Sequence, residues 1–321
     1  MMGKKKSAII GLMAETPLHP GAGQVAAAID LPVARESTGF PYIPASSMKG
    51  ALRALAREAF PPETSDSDQE SLKVRKLFGS IDGAGELLFG DARLLLLPIR
   101  SLTEPYRWVT CPLILERLKR DLCRLKPDTK SRLDWADLYL LESEFTDDSQ
   151  AVVFDESTGP LHLEEYRFVR KEITEIEVLK GWMTALSLIL PEAFMNPSDE
   201  KPLSALHRRL TIIPNEAFIW FARFGLPVRA RNALTEGTKT AEGGALWYEE
   251  QLPVDSVLYM PLSERVEGAF KETGKLFADG YLQVGGDETI GQGWVKMHCL
   301  SPISGEAEAS SEQCELEGAG G

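Results

Sequence analysis

The fold of this chain is decided by the stretch Pro44-Ala-Ser-Ser-Met-Lys-Gly-Ala-Leu-Arg-Ala-Leu-Ala-Arg-Glu-Ala-Phe60. Its apolar residues recur at helical spacing and predict an amphipathic helix with one core-facing stripe. The stripe comprises Met48, Leu52, Leu55, Ala56 and Ala59. Ser46 or Ser47 is predicted to cap this helix, because a hydroxyl accepts hydrogen bonds from the unpaired amides of the first turn.

A basic ridge lies on the polar side of the same predicted helix. Lys49, Arg53 and Arg57 recur every fourth residue, so their side chains stack on one face. Together with the positive end of the helix dipole, this ridge suits an anionic phosphate backbone. An ordinary solvated surface helix gives the same pattern, so other stretches have to decide between the two interpretations.

The composition is that of a globular protein with an uneven distribution of charge. With 43% hydrophobic residues among 321, the chain can bury a core without disulfides or a structural metal. The net charge of −13 argues against a nucleic-acid partner. However, residues 1–60 hold seven bases and four acids, whereas residues 301–321 hold five acids and no base. The local balance therefore leaves a polyanion-binding surface open within the first 60 residues.

Cysteine usage and apolar runs bear on metals and on the cellular compartment. The four cysteines form no Cys/His cluster at zinc-ligand spacing, and such sparse usage fits a reducing cytoplasm. The apolar residues after Lys6 resemble a short signal peptide, but the run is short and Glu15 follows it, so a first strand fits better. No apolar run approaches the roughly 20 residues of a membrane helix. A cytoplasmic protein without membrane contact is predicted.

The order of predicted elements indicates an α+β fold rather than a regular βαβ repeat. Strands are predicted at residues 7–12, 85–98 with a break at Gly90, 217–224, 256–262, 282–284 and 294–300. Helices are predicted at residues 74–78, 112–126 and 178–190. Residues 152–154 and 161–163 are predicted to pair with each other, and residues 61–70 and 196–201 to form polar loops.

Residues 285–293 form a glycine-rich stretch that fits no phosphate-binding fingerprint. No Lys-Ser/Thr pair follows it, and it leads into a strand-like segment rather than a helix. Glycine density of this kind allows backbone amides to approach another backbone closely. An irregular loop with left-handed turns is the plainer interpretation. The glycines are Gly285, Gly286, Gly291 and Gly293.

These two stretches and several shorter ones together resemble the RAMP superfamily of CRISPR proteins. Residues 44–53 look like the family's IPGSS-x-KG-x-x-R helix start, with Ala45 where the family usually has Gly. Residues 285–293 look like its C-terminal glycine-rich loop. Further matching blocks lie at residues 16–23, 29–36, 38–41, 89–94, 98–101, 108–113 and 244–250. Over residues 16–295 the collection is similar to the backbone subunit of type III-B (Cmr) effector complexes.

The resemblance implies a modified ferredoxin-like (RRM) core with an inserted thumb. We predict a single RAMP domain over residues 1–300, insertions at about residues 61–80 and 105–210, and a disordered acidic tail at 301–321. Residues 150–180 and 225–250 both qualify as the thumb. The implied partners are a CRISPR guide RNA, a complementary single-stranded target RNA, further copies of the chain in a filament, and other subunits of the complex. Base pairing then selects the target, and the protein recognises backbone and shape.

The resemblance also implies an active site for target-RNA cleavage at regular intervals. The family's catalytic aspartate, in its x-D-x-P-x loop, falls on Asp30. Its carboxylate can bind Mg²⁺ (or Mn²⁺), held only when RNA is present, or orient a ribose 2′-hydroxyl, which yields a 2′,3′-cyclic phosphate and a 5′-hydroxyl. His19 is a candidate acid or base, and Glu249 and Glu250 are candidate supporting acids. The plainer interpretations are a turn-capping Asp30, a loop histidine bonded to backbone, and a solvated acid pair.

The predicted RNA contacts combine the helix start, the basic ridge, a Gly/Thr-rich loop and the glycine-rich stretch. They are Ser46, Ser47, Lys49, Arg53, Arg57, Arg229, Arg231, Gly285, Gly286, Gly291 and Gly293. Arg229 and Arg231 lie on one side of an extended segment. Three other functions stay open: a non-catalytic scaffold of the same complex, a RAMP endonuclease that processes guide precursors, and an acidic protein that binds a small ligand.

Overall fold

The computed structural model describes residues 6–24, 28–62, 70–81, 83–126, 135, 138, 145–154, 159–171, 176–190, 204–234, 241–277 and 280–300. The strands are β1 (Ser7–Ala14), β2 (Tyr42–Ile43), β3 (Gly79–Ser80), β4 (Gly83–Ala84), β5 (Leu87–Phe89), β6 (Ala92–Ile99), β7 (Arg107–Thr110), β8 (Gln150–Val153), β9 (Leu161–Leu163), β10 (Tyr166–Lys171), β11 (Leu210–Ile212), β12 (Val228–Leu234), β13 (Ala241–Glu250), β14 (Val257–Glu264), β15 (Tyr281–Gln283) and β16 (Trp294–Leu300). The helices are α1 (Ala45–Ala59), α2 (Leu72–Phe78), α3 (Pro112–Leu125), α4 (Ile176–Ile189), α5 (Ser204–Arg209) and α6 (Asn215–Phe224).

The centre of the main sheet has a ferredoxin-like arrangement. Its strands lie in the order β16-β1-β14-β6, and each is antiparallel to its neighbour. In chain order, β1, β6, β14 and β16 are the strands of a β-α-β-β-α-β unit, in which α1 follows β1. Two 3₁₀ turns, Ala269–Glu272 and Gly274–Phe277, stand between β14 and β16 in place of the second helix. The predicted α+β fold with a modified ferredoxin-like core is confirmed.

The sheet extends beyond β6 through strands that come from one part of the chain. The order continues β7, β11, β8, β10 and β9, all within residues 107–212. The pairs β7/β11 and β8/β10 are parallel, so the sheet is mixed. These strands fall largely within the segment predicted as an insertion at 105–210; that insertion and the division of the chain into one domain and a tail stay predictions. The strands β12 and β13 form a separate antiparallel hairpin outside this sheet.

Both faces of the central strands are covered. Seven of the eight residues of β1 and of β14 are buried, a pattern expected where a sheet is packed on both sides. Helices α3 and α4 contact β1, and α1 packs against α2 and β5. On α1 the predicted apolar stripe faces the core, with Met48, Leu52 and Ala56 buried. Among the described residues, no helix combines the length and the apolar character needed to cross a membrane.

Helix α1 begins at Ala45, two residues earlier than a cap at Ser46 requires and three earlier than a cap at Ser47 requires. Pro44 occupies the cap position, and neither Ser46 nor Ser47 accepts a capping hydrogen bond, because both are already inside the first turn. The carboxylate of Asp91 is at the helix start instead, and its Oδ1 accepts a hydrogen bond from the amide of Ala45 at 2.8 Å. The predicted serine cap is therefore wrong, and a carboxylate from the loop before β6 takes its place.

Three other local predictions are also wrong. Residues 217–224 belong to helix α6, because Pro214 caps that helix and Phe218, Phe221 and Ala222 share its buried face. The segments at 152–154 and 161–163 do not pair with each other, since β10 lies between β8 and β9. Arg229 and Arg231 lie on strand β12 rather than in a Gly/Thr-rich loop, although the extended backbone predicted for them is confirmed.

The other predicted elements are confirmed within one or two residues at most of their ends. They are β1, the β5–β6 pair broken at Gly90, β14, β15, β16 and the helices α2, α3 and α4. Most of the predicted loop at 61–70, the turn at 196–201 and the acidic tail at 301–321 lie outside the described residues.

Candidate active site and nucleic-acid interface

The base of the β12–β13 hairpin is extended by residues from the N-terminal part of the chain. Leu31 pairs in parallel with Glu249. Its amide donates to the carbonyl of Tyr248 at 3.1 Å, and its carbonyl accepts from the amide of Glu250 at 3.0 Å. The segment that carries Asp30 is thereby fixed to the end of β13. The hairpin base is consequently the place where most of the predicted catalytic residues meet.

Asp30 lies at the edge of this junction and is half-buried. Its Oδ2 accepts a hydrogen bond from the amide of Tyr248 at 2.8 Å. Within the part of the chain that the structure describes, no protein donor contacts its Oδ1. The carboxylate therefore has one oxygen that fixes its orientation and a second oxygen that can serve a ligand, which combines the turn-capping role with a site for chemistry.

His19 reaches the same junction from the loop that follows β1. Its ring is buried, with Nδ1 at 2.7 Å from the carbonyl oxygen of Glu250. Because a carbonyl can only accept, Nδ1 carries the proton, and in the neutral ring Nε2 is the basic nitrogen. The main-chain carbonyl of His19 accepts from the amide of Gly286 at 2.9 Å. The ring and the backbone of His19 are thus both fixed, as the plainer interpretation of a backbone-bonded histidine expects.

Glu249 and Glu250 are buried, so they are not a solvated pair. Glu250 accepts hydrogen bonds from the amide of Val33 at 3.1 Å and from the guanidinium of Arg35. Arg35 also donates to the carbonyl of Ala222 on α6. Glu249 accepts from the side-chain amide of Gln251 at 2.7 Å. Both carboxylates are engaged by protein groups and hold the junction together.

Arg231 connects Glu249 to the glycine-rich loop. Its Nε lies 3.0 Å from Oε2 of Glu249, although the N–H is not aligned with that oxygen, so this contact is an ion pair. Its Nη2 donates to the carboxylate of Asp287. Asp287 lies inside the 285–293 stretch, yet the sequence analysis did not single it out. Two adjacent acids, Asp287 and Glu288, stand among the four glycines, and the sequence does not distinguish their roles.

The two carboxyl groups around Arg231 have pKa values shifted in opposite directions. Burial works against ionisation of Glu249, but its neighbours outweigh this effect, first the side chains of Asp287 and Gln251 and then the charges of His19 and Arg231, so the pKa of Glu249 is lowered. Burial raises the pKa of Asp287, and the neighbouring Glu249 carboxylate raises it further. Of the two carboxyl groups, Glu249 therefore ionises at the lower pH, and both face Arg231.

The glycine-rich loop approaches the chain's own backbone. Gly285 has φ of +102°, and a Cβ there would lie 2.9 Å from the carbonyl oxygen of His19. Gly293 has φ of +87°, and its amide donates to the carbonyl of Pro17 at 3.1 Å. The close approach that glycine density predicts is therefore made to residues 17–19. The amides of Gly286 and Gly293 are used within the protein, and that of Gly291 donates to Glu288.

The basic ridge of α1 is partly neutralised by a single acid. Nε of Arg53 donates to Glu70 at 2.7 Å and its second nitrogen makes a parallel bond, while Nε of Arg57 donates to the same carboxylate at 2.8 Å. These bonds lower the pKa of Glu70 to about 2. Lys49 is half-buried beside a groove of about 450 Å³ that Arg53 also lines, and Ser46 and Ser47 are exposed. Sequence analysis missed Glu70 because it stands 13 residues beyond Arg57.

The described residues contain no preformed site for a divalent cation. No group of three or more His, Cys, Asp or Glu side chains within them has metal-binding geometry. Asp30 alone offers one carboxylate oxygen, because Tyr248 engages the other. A hexacoordinate ion such as Mg²⁺ would need its remaining ligands from elsewhere.

A modified ferredoxin-like core with a glycine-rich loop packed against residues 17–19 defines the structural class of this protein, and a known family shares it. The family model described as "RAMPs: RAMP superfamily" matches residues 12–296. The chain therefore belongs to the RAMP superfamily.

Individual relatives narrow the comparison to one branch of that superfamily. The chain is 33% identical to the CRISPR system Cmr endoribonuclease Cmr4 of Pyrococcus furiosus, over 91% of this chain and 95% of that relative. It is 26% identical to the CRISPR system CMR subunit Cmr4 of Saccharolobus solfataricus, over 90% and 95% of the two chains. The crystal structure of oligomeric Cmr4 from Pyrococcus furiosus superposes with a TM-score of 0.65 at 26% identity, covering 92% of this chain and 98% of that one. The predicted similarity to type III-B backbone subunits is confirmed.

Proposed function

We propose that this protein is the backbone subunit of a type III-B CRISPR effector complex and cleaves target RNA complementary to a bound guide RNA. Its relative at 33% identity is named as an endoribonuclease of the CRISPR Cmr system, and the two chains match over nearly their whole lengths. The observation that carries the proposal is the position of Asp30, which has one carboxylate oxygen fixed by Tyr248 and the other directed to no protein donor among the described residues. Such a group can act on a substrate hydroxyl.

Asp30 is proposed as the catalytic residue. Its second oxygen accepts the proton of a ribose 2′-hydroxyl and orients that oxygen toward the adjacent phosphorus. Attack forms the bond from O2′ to phosphorus and breaks the bond from phosphorus to O5′, and the leaving O5′ takes up a proton. The products are a 2′,3′-cyclic phosphate and a 5′-hydroxyl. No water enters the products.

His19 is proposed as the second group at the site. With Nδ1–H donated to Glu250, its Nε2 is the nitrogen that can exchange a proton with the leaving oxygen. The side chain of His19 is 10% exposed, so only a substrate that enters the junction reaches it. Mg²⁺ or Mn²⁺ dependence stays a prediction: Asp30 supplies one ligand oxygen and RNA phosphates would have to supply others, so no chemical step is assigned to the metal.

The guide and the target are proposed to bind at two places. The exposed face of α1, with Ser46, Ser47 and Lys49, takes guide-RNA phosphates, and displacement of Glu70 makes Arg53 and Arg57 available as well. The hairpin β12–β13 is proposed as the thumb. Of the two thumb candidates, residues 150–180 contribute strands to the main sheet, whereas the described part of residues 225–250 forms this separate hairpin. Arg229 is exposed on that hairpin. Further copies in a filament and the other subunits complete the proposed complex, which is expected in the cytoplasm.

Cleavage by the reconstituted, guide-loaded complex tests this function. Complementary and scrambled RNA are incubated with it in Mg²⁺ and in EDTA, and the product ends are mapped. We expect regularly spaced cuts in complementary RNA only, with cyclic-phosphate ends, and loss of cutting in EDTA. Binding without cutting in any condition would leave the scaffold function. Cutting of a hairpin precursor without a second RNA would favour guide processing.

A further inference from the structure

We propose that the ion pair between Arg231 and Asp287 is a positioning device through which the glycine-rich loop holds Asp30 and His19 in the active site. This inference rests on the proposed function, because it concerns the residues assigned there to catalysis. It also changes the expected role of Arg231 and of the loop, which the sequence analysis placed among the RNA contacts. Arg231 and the start of the loop, residues 285–287, face the protein, whereas residues 288–291 of the loop are exposed.

Arg231 uses its hydrogen-bonding capacity on carboxylates of the protein itself. Its side chain is 21% exposed and meets two carboxylates, Glu249 on the neighbouring strand and Asp287 in the loop. Glu249 is only 3% exposed at its side chain. A guanidinium engaged in this way is a poor phosphate ligand, because its departure would leave the buried carboxylate of Glu249 without its counter-charge.

The contacts that link Arg231 to the catalytic candidates run through the end of strand β13. Arg231 fixes the side chain of Glu249, and the preceding residue, Tyr248, carries the two backbone groups that bond to Asp30 and Leu31. A shift of this strand end therefore moves the donor that orients the Asp30 carboxylate. No contact in the path is longer than 3.1 Å, apart from a second, weaker Arg231–Glu249 bond at 3.3 Å.

The glycine-rich loop also contacts His19, through the residue next to Asp287. Gly286 precedes Asp287 and donates its amide to the carbonyl of His19 at 2.9 Å. Asp287 itself has φ of +64°, a conformation that Asp and Asn adopt more readily than other side chains, and it begins a 3₁₀ turn. Its carboxylate and the neighbouring amide therefore act on Arg231 and His19 as one rigid unit. The loop joins the two halves of the candidate active site.

Single-turnover cleavage by the full guide-loaded complex tests the proposal. Asp287→Asn keeps the size and the left-handed tolerance of the residue but removes the charge that Arg231 meets. Glu288→Gln is the matched control, since it removes one negative charge from the exposed neighbouring position. We expect Asp287→Asn to lower the cleavage rate at saturating target roughly tenfold or more while RNA affinity stays unchanged, and Glu288→Gln to leave both unchanged.

A second variant keeps the test independent of folding. Arg231→Lys retains a positive charge between the two carboxylates but loses the planar fork, so we expect a rate between those of the wild type and Asp287→Asn. The double variant should be no slower than Asp287→Asn alone, because both changes affect one contact. A loss of RNA affinity with an unchanged rate at saturation would overturn the inference and make Arg231 an RNA contact.

The variant Asp30→Asn separates failure of this inference from failure of the proposed function. If Asp30→Asn still cleaves, the proposed active site itself is wrong. If Asp30→Asn is inactive and Asp287→Asn behaves like Glu288→Gln, the active site stands and the positioning role of the loop is wrong.

Discussion

At the scale of single residues, two acids from outside helix α1 determine its chemistry. Asp91 accepts from the first helical amide, and Glu70 binds the guanidinium groups of Arg53 and Arg57. Neither is close to the helix in sequence, so a pattern confined to residues 44–60 cannot include them. The sequence correctly predicted the helix and its buried face, because these depend on local periodicity. It misassigned the cap, because that depends on tertiary contact.

The cap that Asp91 provides to α1 should contribute to the free energy of unfolding. Asp91→Ala removes the acceptor at the amide of Ala45 and should lower the free energy of unfolding by about 1 kcal/mol. Ser46→Ala and Ser47→Ala should change it by less than about 0.5 kcal/mol, since neither hydroxyl caps the helix. Urea denaturation of the isolated subunit measures all three. A larger loss in a serine variant than in Asp91→Ala would restore the serine cap.

The lowered pKa of Glu70 should make the stability of the protein depend on pH. Its native pKa of about 2 is depressed from 4.5, so its ionised form contributes stability above pH 4.5, and this contribution is lost as the pH falls toward 2. The stability difference between the wild type and Glu70→Gln should therefore be constant near neutral pH and shrink below pH 4.5. NMR titration of the Glu70 carboxyl gives the pKa directly. A midpoint near 4.5 would show that the ion pairs do not form.

At the scale of elements, α6 shows where local pattern and packing diverge. Residues 217–224 are almost continuously apolar and rich in aromatic residues, which favours a strand. The helix forms because Pro214 starts it and because Phe218 packs edge-on against Phe40, a contact between distant parts of the chain. A sequence pattern that lacks alternation cannot decide between a buried strand and a buried helix.

The ion pairs between Glu70 and the basic ridge of α1 should reduce the affinity of the subunit for RNA. Glu70→Gln removes the carboxylate that engages Arg53 and Arg57, so the affinity of the subunit for RNA should rise. The salt dependence should also steepen, by up to roughly one unit of slope for each additional phosphate that an arginine neutralises. Glu58→Gln removes one charge from the same helix at an exposed position and should have little effect. Filter binding at several salt concentrations measures both. Equal effects of the two variants would indicate a response to net charge alone.

The close packing of α4 on the sheet should leave no space for a side chain at Gly11. A Cβ at Gly11, in the middle of β1, would lie 1.8 Å from the carbonyl oxygen of Ile189 at the end of α4. Gly11→Ala should therefore push the helix from the sheet and destabilise the protein by about 2 kcal/mol or more. Gly50→Ala, in α1, meets no atom within 4 Å and should stabilise the protein by about 0.5–1 kcal/mol. Thermal unfolding compares the two; a stable Gly11→Ala variant would contradict this packing.

At the scale of the whole molecule, the sheet brings together residues that the sequence keeps far apart. Asp30 and Tyr248 are separated by 218 positions, yet they share the hydrogen bond on which the candidate site depends. The resemblance to a known family predicted Asp30, whereas His19 was a candidate from its chemistry and the glycine-rich loop from its composition. It did not predict the roles of Arg231 and Asp287, because an ion pair between a hairpin and a loop appears in no local motif. The net charge of −13 is compatible with RNA binding because the bases needed for it are few and local.

Target-RNA cleavage by the guide-loaded complex carrying Asp30→Asn, with guide and target binding measured in the same preparation, tests whether Asp30 is the catalytic residue. Asp148→Asn, a change to an exposed acid in the 145–149 loop, is the control. We predict that Asp30→Asn lowers the cleavage rate by roughly a hundredfold or more with RNA binding unchanged, and that Asp148→Asn cleaves like the wild type. Equal cleavage by Asp30→Asn and the wild type would contradict the account and place the chemistry elsewhere in the molecule.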